Sequence, residues 1–113
     1  MFLNRYTLIL IIIFVCAGCS PFKVADVLSP YSGYKITTDV PYGTLERQKL
    51  DIYTPTKKQK STDIIIFIYG GSWKSGEKSN YRFIAQPFTN AGFVTIVPNY
   101  RLYPEVRFPE FNK

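Results

Sequence analysis

The residues of this sequence with the most chemical potential lie in one short stretch, Gly70-Gly71-Ser72-Trp73-Lys74-Ser75-Gly76-Glu77-Lys78-Ser79. A glycine pair serves chemistry where backbone N–H groups must approach a reacting oxygen, because a residue without Cβ adopts conformations closed to others. It also serves as a plain tight turn between a strand and a helix. Two other patterns overlap the stretch. A phosphate-binding loop places Lys directly after its second glycine. Here Glu77 separates Gly76 from Lys78 and puts negative charge where phosphates would sit, so no nucleotide partner is expected. Ser75-Gly76-Glu77-Lys78 has Ser-x-x-Lys spacing, but the companion Ser-Asp-Asn and Lys-Thr-Gly motifs are absent. Ser72 and Ser75 have no histidine base to activate them, since the sequence contains none.

Cysteine chemistry is confined to the N-terminus. Cys16 and Cys19 have no further Cys or His to complete a redox or metal site, so no disulfide, metal or cofactor is expected. The opening instead carries Arg5, an apolar run over 6–15 and the small residues Ala17 and Gly18, which is the anatomy of an export signal. That run is shorter than the about 20 residues of a spanning helix. Cys16-Ala17-Gly18-Cys19 resembles a bacterial lipobox, with Cys16 where an aliphatic residue is usual. The resemblance implies a lipoprotein signal peptide over 1–18, lipid attachment at Cys19 and export to a bacterial membrane. Where two membranes exist the outer one is favoured, because Ser20 rather than Asp follows the cysteine.

The formal charge of +6 is scattered, apart from Lys57-Lys58-Gln59-Lys60. A nucleic-acid surface would gather it into a stripe or face; a solvated loop is the expectation, and nucleic acid is excluded as a partner. Nine Tyr and nine Phe argue for a packed core rather than disorder.

Several elements must position the glycine stretch. Residues 19–34, with Pro, Ser and Gly and no clear period, read as a tether. Strands are expected over 35–40 and 48–53, alternating in character and joined by a Gly-containing turn as an antiparallel pair. Residues 63–69 are a near-continuous apolar strand, the pattern of burial on both faces of a parallel sheet. A helix is expected over 81–91, capped by Asn80, carrying Phe83, Ile84 and Phe88 on one face and stopped by Gly92. Residues 93–97 form the next buried strand and close a right-handed βαβ unit. The fold class is α/β.

Three blocks carry a family resemblance: Leu50-Asp51-Ile52-Tyr53-Thr54-Pro55, residues 67–78 around the glycines, and Pro98-Asn99-Tyr100-Arg101-Leu102-Tyr103-Pro104-Glu105 with Phe108-Pro109. In order and spacing they resemble the carboxylesterase and feruloyl-esterase-like branch of the α/β-hydrolases. The resemblance implies an incomplete α/β-hydrolase domain over 35–113, with the fourth strand between the second and third. It implies oxyanion-hole N–H groups at Gly71 and Ser72, Gly70 making the turn, Trp73 packed beneath the loop and Arg101 in a structural role. Tyr69 stands where the family usually has a loop-ordering His. The Gly-x-Ser-x-Gly elbow, the acid and the His of such an enzyme are not among these residues. The expectation is therefore a chain inactive by itself, with the catalytic machinery beyond Lys113 and an ester substrate only for the completed protein. An outer strand over 63–69 rich in Ile would also promote association. The alternative is a small non-catalytic surface lipoprotein with a binding role.

The lipobox reading makes a direct prediction. The mature protein from a bacterial host carries a lipid on Cys19 by mass spectrometry, and Cys19→Ser abolishes that modification and blocks processing.

Overall fold

Alternating sequence produces the first pairing. The computed structural model describes residues 4–7, 9, 20–57 and 63–112. Cys16 and Cys19, and most of the lysine loop, lie outside the described residues. Strand β1 (Tyr34–Pro41) runs antiparallel to β2 (Lys49–Pro55). A bulge between Thr37 and Val40 shifts the register and leaves Asp39 at φ 57°. Such bulges re-aim side chains at the point where they interrupt a ladder; here the re-aimed group is the Asp39 carboxylate.

The remaining strands are β3 (Ile64–Ile66) and β4 (Val94–Pro98). The sheet order is β1-β2-β4-β3, with β4 antiparallel to β2 and parallel to β3. The fourth strand thus lies between the second and third, as the family resemblance implied. Strand β3 is shorter than the 63–69 expected, although Phe67 N–H still donates to the Ile96 carbonyl at 2.8 Å. The expectation of burial on both faces is corrected: Ile64, Ile66 and Ile68 are each about 60% exposed, while Tyr69 is buried.

Helix α2 (Arg82–Asn90) covers the other face, entered through a 3₁₀ turn at Lys78–Tyr81. Asn80 sits inside that turn and makes no side-chain cap, so the capping expectation is corrected. The helix buries Arg82, Ala85 and Thr89 rather than the Phe83, Ile84 and Phe88 face, and Phe88 is exposed. Small residues let the helix approach Tyr53, Thr95 and Val97 closely. The Thr89 hydroxyl, itself wholly buried, donates to the Ala85 carbonyl at 2.9 Å and is hydrogen-bonded to Thr95 Oγ1 at 3.0 Å. Gly92, at φ 109°, ends the helix as expected. Its N–H bonds Thr89 O and Phe93 N–H bonds Phe88 O, the paired bonds of a glycine-terminated helix.

The segment read as a tether contains a helix, α1 (Pro21–Leu28). Pro21 suits a first helical turn, where its missing N–H has no partner to lose. Phe22 then reaches the rings of Tyr81 and Phe83, with centroids at 5.5 and 6.3 Å. Asp26 meets Arg82 at 2.8 Å. A local reading could not foresee this, because the partners lie more than fifty residues away.

Burial decides where substitutions count. Val97→Ala, at a fully buried position, should cost about 2 kcal/mol in urea unfolding through lost contact and an unfilled cavity. Ile64→Ala, on the open face, should stay within about 0.5 kcal/mol.

Candidate active-site loop

The chain leaves the sheet at Tyr69, a residue only 2% exposed. Its ring stacks on Tyr81 at 4.8 Å with planes 5° apart, and Tyr100 leans against it at 4.9 Å. Its hydroxyl donates to Asn99 Oδ1 at 2.5 Å and accepts from Arg47 Nη2 at 3.2 Å. Burial raises the phenol's pKa, offset in part by the Arg47 charge and reinforced by Glu77. It is therefore a neutral donor at physiological pH. Through these contacts Tyr69 anchors the start of the loop.

From this anchor the backbone turns through three residues of positive φ: Gly71 at 142°, Ser72 at 52° and Trp73 at 56°. Only glycine suits the first, because a Cβ there would lie 2.1 Å from the Ser75 carbonyl oxygen. The turn thus falls one residue later than expected, since Gly70 has no positive φ and a Cβ on it would meet nothing within 4 Å. Lys74 and Ser75 N–H both donate to the Gly71 carbonyl, at 3.0 and 3.3 Å. The N–H groups of Gly71 and Ser72 have no acceptor among the described residues.

Trp73 does not pack beneath the loop. It is half exposed, stacks on Phe111 at 5.7 Å, and its carbonyl accepts from Tyr103 N–H at 2.7 Å. The room inside the loop is already occupied by the Tyr69 ring, which lies so close to Gly76 that a Cβ there would sit 2.4 Å from it. Beside the loop a cavity of about 520 Å³ opens onto the uncovered sheet face. Leu50, Ile66, Ile68 and Ile96 form its apolar floor, with Gly71 and Ser72 on its rim.

Beyond Tyr69, sequence reasoning did not single out the side chains that hold this loop. Asn99 is 6% exposed and joins three segments. Its Oδ1 accepts from Tyr69 and from Lys78 N–H at 2.8 Å, and its Nδ2 donates to Glu77 Oε1 at 2.6 Å. Arg47 adds bonds to the Tyr100 carbonyl at 2.8 Å, the Gly76 carbonyl at 2.9 Å and Glu77 Oε2 at 3.3 Å. Lys78, only 5% exposed, reaches Asp51 at 2.7 Å and Asp39 at 2.8 Å. The available signal was that Asp51, Glu77, Lys78 and Asn99 all lie within the three blocks; Arg47 gave none. Arg101 donates to the Glu110 carbonyl at 2.5 Å.

A mixed sheet with a parallel β3–β4 pair, and a glycine loop between the end of β3 and a helix, is the arrangement of an α/β-hydrolase. The family model described as BD-FAE matches residues 50–112, more than half of the chain. The chain belongs to this family of esterase-like α/β-hydrolases. It is 34% identical over 67 residues to a kynurenine formamidase of Danio rerio, an alignment covering 59% of this chain and 23% of the relative. Esterase B from Lactobacillus rhamnosis superposes with a TM-score of 0.72 at 21% identity, over 92% of this chain and 34% of that one, which is a likeness of fold. A truncated form of a carbohydrate esterase from gut microbiota matches at 31% identity and a TM-score of 0.56, over 73% of this chain and 30% of that one. The chain therefore spans about a quarter of the length of the curated relative and a third of the esterase structures.

The buried charges make predictions of different size. Lys78→Met leaves Asp51 buried and unpaired and should destabilise by about 3–5 kcal/mol. Asp39→Asn removes an exposed partner and should cost much less. The Lys78 hydrogen bond, then its charge, holds the Asp39 carboxyl below its usual value of 3.8. That contribution is full above the usual carboxyl value and is lost as pH falls through the lower folded-state value. Burial lowers the Lys78 pKa, but bonds and charges from Asp39 and Asp51 outweigh it, so the net shift is upward from 10.5. Its contribution is full below that value and is lost as pH rises through the higher folded one. Unfolding curves across pH should show Asp39→Asn removing part of the acid limb.

Proposed function

We propose that the Gly71–Ser72 turn is the oxyanion-hole loop of an esterase-type serine hydrolase, with Tyr69, Asn99 and Arg47 holding it in place. The observation that carries this reading is the pair of N–H groups, without acceptors among the described residues, on the rim of an apolar cavity at the end of a parallel strand. Hydrolysis of an ester builds negative charge on the carbonyl oxygen. Donors fixed before that charge develops need no reorganisation to stabilise it. The strained turn supplies this rigidity, and the buried polar cluster behind it offsets the strain. The family, the esterase relatives and the cavity's apolar floor support a carboxylic ester of a hydrophobic group as the substrate.

Neither a histidine nor a Gly-x-Ser-x-Gly elbow is among these 113 residues, and the chain alone does not turn over esters on this reading. The protein is exported and lipid-anchored through Cys19, so the completed hydrolase would work at a bacterial membrane. The second reading, a binding lipoprotein without catalysis, rests on the same absence of a histidine.

Purified residues 20–113 should hydrolyse p-nitrophenyl acetate no faster than a denatured control. Residues 50–112 grafted in place of the matching segment of the Danio rerio relative should retain hydrolysis. In that graft Gly71→Ala should lower kcat by about 10²–10³-fold with KM little changed, the mark of an interaction made only in the transition state. Turnover by the isolated chain that Ser72→Ala abolishes would overturn the reading, and unchanged kcat in the Gly71→Ala graft would remove the loop's role.

A further inference from the structure

We propose that the outward face of helix α1, formed by Val24, Val27 and Leu28, lies in the headgroup boundary of the lipid bilayer and fixes how the domain sits on it. This rests on the reading of Cys19 as the lipid-bearing residue.

Helix α1 has two unlike sides. Phe22 and Asp26, one turn apart, face the domain through Tyr81, Phe83 and Arg82. Val24, Val27 and Leu28 are spaced as neighbours on a helix surface, and they are 47%, 78% and 77% exposed. Three apolar side chains so exposed on one face of a short helix form a local apolar patch, the kind of surface that a membrane can cover.

The helix cannot move independently of the domain. Arg82, only 4% exposed, pairs with Asp26 and donates to the Asp26, Ser29 and Pro30 carbonyls and to the Tyr34 hydroxyl. One guanidinium thus ties the C-terminal end of α1 to the start of α2, and Phe22 secures the other end. From Pro21 onward the segment is held against the domain as a bracket.

Position supplies the occupant. Pro21 is two residues after Cys19, at most about 7 Å of extended chain, and the eight-residue helix is only about 12 Å long. The whole outward face is held within reach of the acyl chains. Three side chains are too few for a stable protein partner, which needs about 800 Å² on each side. Beside an anchor that keeps the local concentration high they suffice as a second membrane contact. Exposed Lys23 adds attraction to anionic headgroups.

The test uses the full-length, processed protein in vesicles of phosphatidylethanolamine with a minority of phosphatidylglycerol. Trp73 is the only tryptophan, so Trp73→Phe gives a dark background, to which Val27→Trp or Thr44→Trp is added. Thr44 is exposed in the β1–β2 connection. Brominated acyl chains should quench the Val27→Trp indole and leave the Thr44→Trp indole bright. Equal quenching of both, or of neither, overturns the proposal. Mass spectrometry of the same samples separates it from the anchor reading. A lipid on Cys19 with an unquenched Val27→Trp indole sinks the docked helix alone. A chain without lipid whose Val27→Trp indole is still quenched supports the helix and sinks the anchor.

Discussion

The side chain of Asn99 is the point at which three distant parts of the chain become one site. It takes hydrogen bonds from the Tyr69 hydroxyl and the Lys78 amide and gives one to Glu77. A buried amide is costly unless its partners are present, and each partner here is itself tied down. Glu77 is held by Arg47, which also clasps the Gly76 and Tyr100 carbonyls. Once Asn99 is placed at the end of β4, both ends of the glycine loop are placed with it.

Beneath that cluster lies an ionic one. Lys78 follows Glu77 directly, so the turn that delivers Glu77 to Asn99 also delivers Lys78 to Asp51. The bulge in β1 brings Asp39 to the same ammonium group, and Asp39 N–H donates to Asp51. Burying a lysine and an aspartate is unfavourable unless the geometry is good and the remaining lone pairs are occupied. Here the sheet, the bulge and the loop each supply one member. The effect is to fix the loop's far end to the strand pair, so the glycine turn depends on residues in β1 and β2.

The two faces of the sheet follow from this. Helix α2 and the tyrosines Tyr53, Tyr69 and Tyr81 close one face, so the loop is supported from below by aromatic rings. The other face carries Ile66, Ile68 and Ile96 into an apolar cavity whose rim is the loop itself. A hydrogen-bonded, rigid side and an apolar, accessible side meet at Gly71 and Ser72. The loop proposed above as an oxyanion hole lies on that boundary.

Strand identity, strand order and the location of the loop were legible in the sequence, because periodicity and glycine placement are local properties and the three blocks carried the resemblance. The antiparallel pair, the parallel pair and the Gly92 helix stop all came from such signals. Contacts across long separations were not legible. No local pattern marks Arg82 as the clasp of α1, Arg47 as a loop ligand, or Ala85 and Thr89 as the buried side of α2. Trp73 is the same lesson in reverse: the family resemblance placed it beneath the loop, but Tyr69 already filled the space against Gly76. The sequence by itself determined which segments form strands and where the turn falls to within a residue. Tertiary packing alone decided which polar side chains hold it, since hydrogen-bond partners are chosen by proximity in space and not along the chain.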